Sequence, residues 1–279
     1  MALSITPVFS QSAAERSLAK IEKEFSDYTE EVGSPKAWTK YFASDGVMFK
    51  PEPVNAHAFV APRLQVPKRN DIRLRWKAAF TELSKDEDLG YNIGPSVREN
   101  LKYDTVPKNY GFIFSIWKRV GDTTWRVALD AGVNIKVKTK YHETELPLQT
   151  VKRKSPGKLS GSVLDAELNF AKIAREQNMV VAYETLLHSD SRMLKNDQNL
   201  FESKAEILEC FKDPVNNSFQ HSAKLEVIGS GTSTSNDLAY SYGSYSIEHE
   251  KENGFYVHIW RRESGNWRLI FDVTGAVPK

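Results

Sequence analysis

The sequence predicts an α+β protein made of two cone-shaped domains, each with N-terminal helices packed on a curved antiparallel sheet. Two observations carry this prediction. Apolar residues first recur at helical spacing and then alternate as they do in strands. The same order then occurs a second time along the 279 residues, a length that accommodates two domains. We therefore interpret the chain as a tandem duplication.

Three collinear matches support the duplication. Residues 111–130 and 254–272 both read G-F-x-x-x-I-W-[KR]-R and then W-R-x-x-x-D, with one residue fewer in the second turn. Residues 88–94 match 237–243, and a weaker match aligns Phe25, Ala37, Ser44 and Asp45 with Phe170, Ala182, Ser189 and Asp190. The resulting division is an N-terminal segment (1–12), a first domain (13–135), a basic linker (136–162) and a second domain (163–279).

Within the first domain, Leu18, Ile21, Phe25 and Tyr28 recur at helical spacing and predict a helix over 14–32. Gly33-Ser34-Pro35 ends that helix, and Pro35 starts a second one that runs to Phe42. Alternating apolar residues then predict strands at 72–76, 89–93, 112–116 and 125–129. The second domain repeats the order, with helices near 164–188 and 203–212 and strands near 222–228, 237–248, 254–263 and 266–274.

The amino-acid composition narrows the classes of binding partner and cofactor that can be expected. A formal net charge of +2 gives no reason to expect nucleic acid or an anionic membrane. The single cysteine, Cys210, excludes an intrachain disulfide and a multi-cysteine metal site, and the six histidines show no metal-ligand spacing. We therefore expect no metal and no cofactor. The lysines and breakers of 136–162 indicate an exposed, solvated connector.

The first residues suggest two localisations. The apolar stretch Ala2–Phe9, with small residues at Val8 and Ser10, suits a signal-peptidase site, but the basic segment that precedes such a stretch is missing. Export to a bacterial periplasm is favoured, and a cytoplasmic protein with an unfolded N-terminus is the alternative.

Two helices, a strand, a short helix and a four-stranded meander resemble the nuclear-transport-factor-2-like superfamily. The pieces Asp88-Leu89-Gly90-Tyr91-x-x-Gly94 and Trp125-Arg126-x-x-x-Asp130 are similar to its ketosteroid-isomerase-like and polyketide-cyclase-like branch. The resemblance covers about 13–135 and 163–279. It implies a fold that hosts isomerases, dehydratases, cyclases, binding modules and accessory domains, so it does not settle the chemistry.

The resemblance also implies that such domains pair through the outer face of the sheet. We therefore expect the two copies to form a pseudo-dimer within one chain. At that face, Trp117 and Trp260 are predicted to contact Arg126 and Arg268 as cross-strand cation–π pairs.

Asp130 and Asp272 are the candidate catalytic residues, because related cyclases and isomerases use a pocket carboxylate as a general base. Strand alternation places Asp130 on the face of Arg126, opposite Val127 and Leu129. It therefore favours a surface or interface ion pair over a pocket role, unless a β-bulge reverses the facing.

Aromatic side chains are the candidate ligand contacts, since a tyrosine hydroxyl inside a cone can donate to a ligand carbonyl. These candidates are Tyr28, Trp76, Tyr91 and Tyr240, each of which can equally be a core residue. Three functions stay open. The favoured one is binding of a small apolar or carbonyl-bearing ligand in a cone-shaped pocket. The others are a cofactor-free isomerase, dehydratase or cyclase, and a structural or accessory interaction module.

Overall fold

A computed structural model describes residues 13–50, 52–103, 105–121, 123–143, 148–149, 161–212, 223–247 and 252–276. These residues form two units, in each of which helices pack on one face of a single sheet. The α+β class is thereby confirmed. Among the described residues, no helix is both long and apolar enough to cross a bilayer.

The first unit begins with two helices because Gly33, at φ 88°, ends the first and Pro35 lies in the first turn of the second. Its elements are α1 (Ala13–Val32), α2 (Ser34–Tyr41), β1 (Phe42–Phe49), β2 (Pro53–Asn55), α3 (Ala56–Val60), β3 (Ile72–Trp76), β4 (Phe80–Leu83), β5 (Leu89–Asn100), β6 (Asn109–Val120) and β7 (Thr124–Ile135). The strand order is β2-β1-β7-β6-β5-β3, with β4 also paired to β5 and with β1 parallel to β7.

The second unit starts at a capping box in which Ser162 and Asp165 bond each other's backbone N–H. Asn178 caps a second helix, so the helical region predicted near 164–188 is two helices. After α4 (Lys140–Glu143), the elements are α5 (Val163–Glu176), α6 (Met179–Leu186), β8 (Leu187–Lys195), α7 (Lys204–Cys210), β9 (Ala223–Thr232), β10 (Leu238–Ile247), β11 (Glu252–Glu263) and β12 (Asn266–Ala276). The strand order is β8-β12-β11-β10-β9, with β8 parallel to β12.

The two sheets pack against each other through apolar faces that belong to one continuous core. The Phe49 ring stacks on Phe255 with centroids 4.2 Å apart, and Phe114 lies 6.2 Å from Phe271. Buried residues of both units form this core, among them Ile93, Phe112, Ile116, Leu129, Leu194, Leu238, Val257, Ile259 and Val273.

Polar contacts at the rim of this interface are reciprocal. The Asp88 carboxylate accepts a 2.7 Å hydrogen bond from the Thr234 backbone N–H, and the Asp237 carboxylate accepts one of 3.0 Å from the Lys85 backbone N–H. Asp88 and Asp237 are matched positions of the sequence comparison. Each unit therefore contributes an aspartate whose carboxylate accepts a hydrogen bond from a loop backbone of the other unit.

The two tryptophans predicted at this interface lie elsewhere. Trp117 and Trp260 are 0% exposed and belong to the helix-facing cores of their own units. A register shift pairs Trp117 with Val127 and Trp260 with Leu269, so the predicted contacts with Arg126 and Arg268 are wrong. The repeated cation–π contacts join other residues, Arg119 with Trp125 at 5.2 Å and Arg262 with Trp267 at 4.2 Å.

The segment between the units is exposed at most of its described residues, as expected, but Tyr141 and Gln149 pack against the first unit. Tyr141 is 2% exposed and its ring lies 5.1 Å from that of Phe80, while Gln149 bonds the backbone of Ala79 and Thr81. For these residues the expectation of an exposed connector is wrong, because an aromatic side chain finds an apolar surface on the first unit. Residues 144–147 and 150–160, and the N-terminal segment 1–12, lie outside the described residues.

Candidate functional site

A β-bulge in each unit turns the candidate aspartates toward the helices. In β7, Val127 faces the helix-side core, whereas Leu129 faces the core between the sheets, because the β6–β7 register shifts at Ile116/Trp117. The β11–β12 register shifts at the matched point, Ile259/Trp260. An extra residue reverses the alternation beyond it. The surface facing that simple alternation favoured for Asp130 and Asp272 is therefore wrong.

A buried glutamate from α1 organises the helix-facing side of the first unit. Glu22, 0% exposed, accepts hydrogen bonds from Trp76 Nε1 at 2.6 Å, Asn92 Nδ2 at 3.0 Å, Trp117 Nε1 at 2.7 Å and the Ser115 hydroxyl. Burial raises the pKa of Glu22, and these donors act against burial. The carboxyl thereby ties α1 to three strands of the sheet.

Glu167 from α5 has the corresponding place in the second unit. It accepts hydrogen bonds from Ser241 Oγ at 2.5 Å and Trp260 Nε1 at 3.2 Å, and it pairs with His258 Nδ1 at 2.9 Å. Burial raises the pKa of Glu167, but the charge of His258 and the hydrogen bonds to the carboxylate together outweigh burial and lower it overall. Burial lowers the pKa of His258, and Glu167 in turn raises it overall. The pair is therefore an ion pair inside the protein.

The same side of the second unit holds Asp272, whose carboxylate is fully engaged. It accepts hydrogen bonds from the Tyr183 hydroxyl and from Thr274 Oγ1 at 3.1 Å, and His258 Nε2 lies 3.6 Å from it. Asp272 is 0% exposed. Burial raises its pKa, and the His258 charge opposes that rise. Asp272 is therefore a buried core residue whose carboxylate already has partners within the protein.

Asp130 lacks the tyrosine and histidine partners that Asp272 has. Ser115 stands opposite Asp130 where His258 stands opposite Asp272, and Trp38 matches Tyr183 in the repeat. Among the described residues, nothing donates a hydrogen bond to the Asp130 carboxyl, which keeps part of its surface accessible.

The electrostatic surroundings of Asp130 also differ from those of Asp272. Burial, followed by repulsion from Glu22, raises the pKa of Asp130 to about 8, while Lys50 acts in the opposite direction. The Lys50 ammonium also lies 5.3 Å from the centre of the Trp38 ring. Asp130 is therefore a half-buried, strongly desolvated carboxyl on which Lys50 acts as a nearby cation.

The four aromatic candidates have different locations. Trp76 alone joins the carboxylate clusters, through its bond to Glu22. Tyr91 and Tyr240 face the core between the sheets, and the Tyr91 hydroxyl donates to Glu82 at 3.0 Å. Tyr28 packs at the edge of the helix-side core with the Lys40 ammonium 3.9 Å from its ring centre. The structure does not bring these tyrosines to Asp130 or Asp272.

Sequence reasoning missed Glu22 and Glu167, which lie at the centre of each cluster. A signal was present, because Leu18, Glu22 and Phe25 share one helical face, and the repeat aligns Glu22 with Glu167 just as it aligns Phe25 with Phe170. An acidic residue on the apolar face of the first helix of each unit indicates a buried carboxylate. Across the described residues, no group of three or more potential ligands that could hold a metal ion is found.

Comparison with known proteins gives a likeness of fold. No family model matches the chain, and no curated protein matches it. A protein of unknown function with a cystatin-like fold from Nostoc punctiforme is 16% identical, with 44% of this chain and 96% of that chain covered and a TM-score of 0.36.

Two further solved structures have similar values. An NTF-2 like protein of unknown function from Shewanella oneidensis is 14% identical, covering 40% of this chain and 98% of its own, with a TM-score of 0.34. A ketosteroid isomerase-like protein from Erwinia carotovora atroseptica is 12% identical, covering 42% and 95%, with a TM-score of 0.34. The chain is thus similar to cystatin-like, NTF2-like and ketosteroid isomerase-like structures, each over about 40% of its length.

Proposed function

We propose that the protein binds a small carbonyl-bearing molecule on the helix-facing side of the first unit, with Asp130 as its hydrogen-bond donor. The observation that carries this proposal is the Asp130 carboxyl, which is desolvated and partly accessible and has no hydrogen-bond partner among the described residues. A desolvated polar group costs free energy unless something pairs with it. A ligand oxygen supplies the missing partner.

The protonation state determines the ligand chemistry. A carboxyl with a pKa of about 8 is mostly protonated at neutral pH, so it donates a hydrogen bond and does not attract a cation. A ligand carbonyl accepts that bond, and the half-buried Trp38, whose ring lies 5.3 Å from the Lys50 ammonium, offers apolar contact to the rest of the molecule. In the second unit, Tyr183 and His258 take the place of such a ligand beside Asp272.

Binding is tested by titrating aromatic aldehydes and enones, such as 1-naphthaldehyde and androstenedione, into the full chain by calorimetry. Asp130→Asn keeps a donor that does not titrate, so it should bind at neutral pH and also above pH 9. Asp130→Leu removes the donor and should weaken binding at least tenfold. The exposed acid Asp45, changed to Leu, is the matched control. Equal affinity in Asp130→Leu, or wild-type binding that tightens above pH 8, would contradict the proposal.

A second candidate function, proton transfer, is favoured by the same pKa. Near pH 8 about half of the Asp130 side chains are ionised, and an ionised, desolvated carboxylate can act as a base toward an acidic carbon. Exchange of the α-hydrogens of androstenedione in D₂O should then accelerate through pH 8 in the wild type; 1-naphthaldehyde, which has no α-hydrogen, tests binding alone. Asp130→Asn should bind the ligand without catalysing exchange. If the ligand binds and does not exchange in the wild type, the function is binding alone.

We also propose that the two units act as a pseudo-dimer within one chain. The reciprocal contacts of Asp88 and Asp237 and the stacked Phe49–Phe255 pair support it. In this arrangement the second unit, whose Glu167 and Asp272 both lie beside His258, serves as the scaffold against which the first unit's sheet is held.

A further inference from the structure

We infer that the first unit has a second binding site, a groove for a small anionic amphiphile, at the edge of the sheet away from Asp130. The groove has a volume of about 910 Å³ and lies between the end of α1, the start of α2, the segment 63–70 and β3. That volume falls in the range of small-molecule sites, which is about 300–1,000 Å³. None of its lining residues belongs to the Glu22 cluster or is Asp130.

The charge of the lining is strongly one-sided. Six cationic side chains face one carboxylate, Glu30, which is already paired with Arg73 at 3.1 Å and with Arg75 at 2.8 Å. The six are Lys36, Arg63, Lys68, Arg69, Arg73 and Arg98. A lining of this composition is complementary to an anion.

Several of these cations have no carboxylate partner in the described part of the chain. Lys68 donates to the Glu31 backbone oxygen, at 3.3 Å, and Arg63 donates to the Phe59 backbone oxygen while its guanidinium stacks 4.0 Å from the Phe59 ring centre. Within the described residues, no ion pair forms to Lys36 or Arg98 either. These four cations are therefore available to a ligand's acidic group, for which guanidinium is well suited.

Apolar surface interrupts the basic lining. Val66 and Leu101 are 61% and 44% exposed, which places them among the most exposed large apolar side chains of the described chain. Val32, Pro35, Leu64, Pro67, Ile72 and Leu74 also line the groove. An inorganic anion would leave this apolar surface exposed to water, and a neutral hydrocarbon would leave the cations without a charge partner. An acidic group on an apolar body satisfies both parts of the lining.

The test uses the full chain and dodecanoate, added below its micelle concentration and followed by calorimetry. We expect one molecule to bind per chain, with an affinity that falls as NaCl rises. Three probes dissect the site: 1-decanol has the apolar body alone, inorganic phosphate has the charge alone, and dodecyltrimethylammonium has the opposite charge. Each should bind at least tenfold more weakly than dodecanoate.

Variants then locate the site. Lys68→Gln combined with Arg98→Gln should raise the Kd for dodecanoate at least tenfold, because two unpaired cations are removed. Lys20→Gln combined with Lys23→Gln removes the same charge from the exposed face of α1 and should leave the Kd unchanged. Val66→Ser should weaken dodecanoate binding and leave phosphate unaffected. The inference is overturned if both double variants bind alike, or if dodecyltrimethylammonium binds as tightly as dodecanoate.

Discussion

Replacing Asp130 with Asn should make the protein more stable at alkaline pH than the wild type. In the unfolded chain an aspartate loses its proton near pH 3.9, whereas burial keeps the folded Asp130 protonated up to about pH 8. Between these two values the folded state holds more protons than the unfolded state. The free energy of unfolding therefore falls as pH rises from about 4 to about 8, and Asn removes this penalty.

The size of the effect follows from the pKa. Each pH unit over which the proton is held only by the folded state costs about 1.36 kcal/mol. From about pH 5.5 to the pKa of about 8, the wild type should lose about 3 kcal/mol of unfolding free energy through Asp130. Water that reaches the accessible part of the side chain makes this an upper bound.

The assay is urea denaturation of both proteins at several pH values between about 5.5 and 9. The difference between wild type and Asp130→Asn isolates this residue from other acids with raised pKa values, such as Glu22 and Asp272. Asp45→Asn is the control, because the hydrogen bond from Lys118 lowers the pKa of Asp45 and its replacement should not stabilise the protein. Parallel pH profiles for wild type and Asp130→Asn would refute the reasoning, since Asp130 would then be hydrated and ionised.

Two further predictions concern the cores. Glu167→Gln should cost about 3–5 kcal/mol of unfolding free energy, because it leaves the buried His258 without its charge partner. Glu22→Gln, which breaks hydrogen bonds but no ion pair, should cost only about 1–3 kcal/mol; denaturant melts of the two variants give the comparison, and equal losses would contradict it. Phe255→Asp should loosen the packing between the sheets and raise the radius of gyration in X-ray scattering. Leu168→Asp, at a 52% exposed position, should leave it unchanged; a compact Phe255→Asp protein would argue against the pseudo-dimer.

Much of the fold was predictable because its signals are local. Gly33 and Pro35 mark the boundary between α1 and α2, and alternating apolar residues mark the meander strands. The predicted second helix runs one residue too far, since Phe42 already begins β1. Strand β4 was missed because its residues, Phe80–Leu83, show no alternation and are all buried. The order of elements is similar in the two units, apart from β2 and β4, which have no counterpart in the described part of the second unit, while the duplication itself stays a prediction.

The site was only partly predictable. Asp130 and Asp272 stood out as matched residues, and Trp76 was named for an aromatic role. Their surroundings, however, involve partners such as Glu22 that are distant in the chain and meet the strands only after the helices have packed on the sheet. Comparing the two halves of the sequence reveals a residue such as Glu22 only when its position on the apolar face of the helix is recognised as well.

Periodicity along the chain was enough to predict the class of fold and most of the helices and strands of both units, because helical and strand periodicities are properties of neighbouring residues. Only the tertiary structure decided which face of each strand looks toward the helices. One extra residue at a bulge, accommodated by the pairing of β6 with β7, reverses every side chain beyond it. That reversal aims Asp130 at the helices, whereas β6 alternates without interruption and keeps Trp117 on the helix side and Phe112 and Phe114 between the sheets. The chemistry of the candidate site therefore depends on a feature of strand pairing that periodicity does not record.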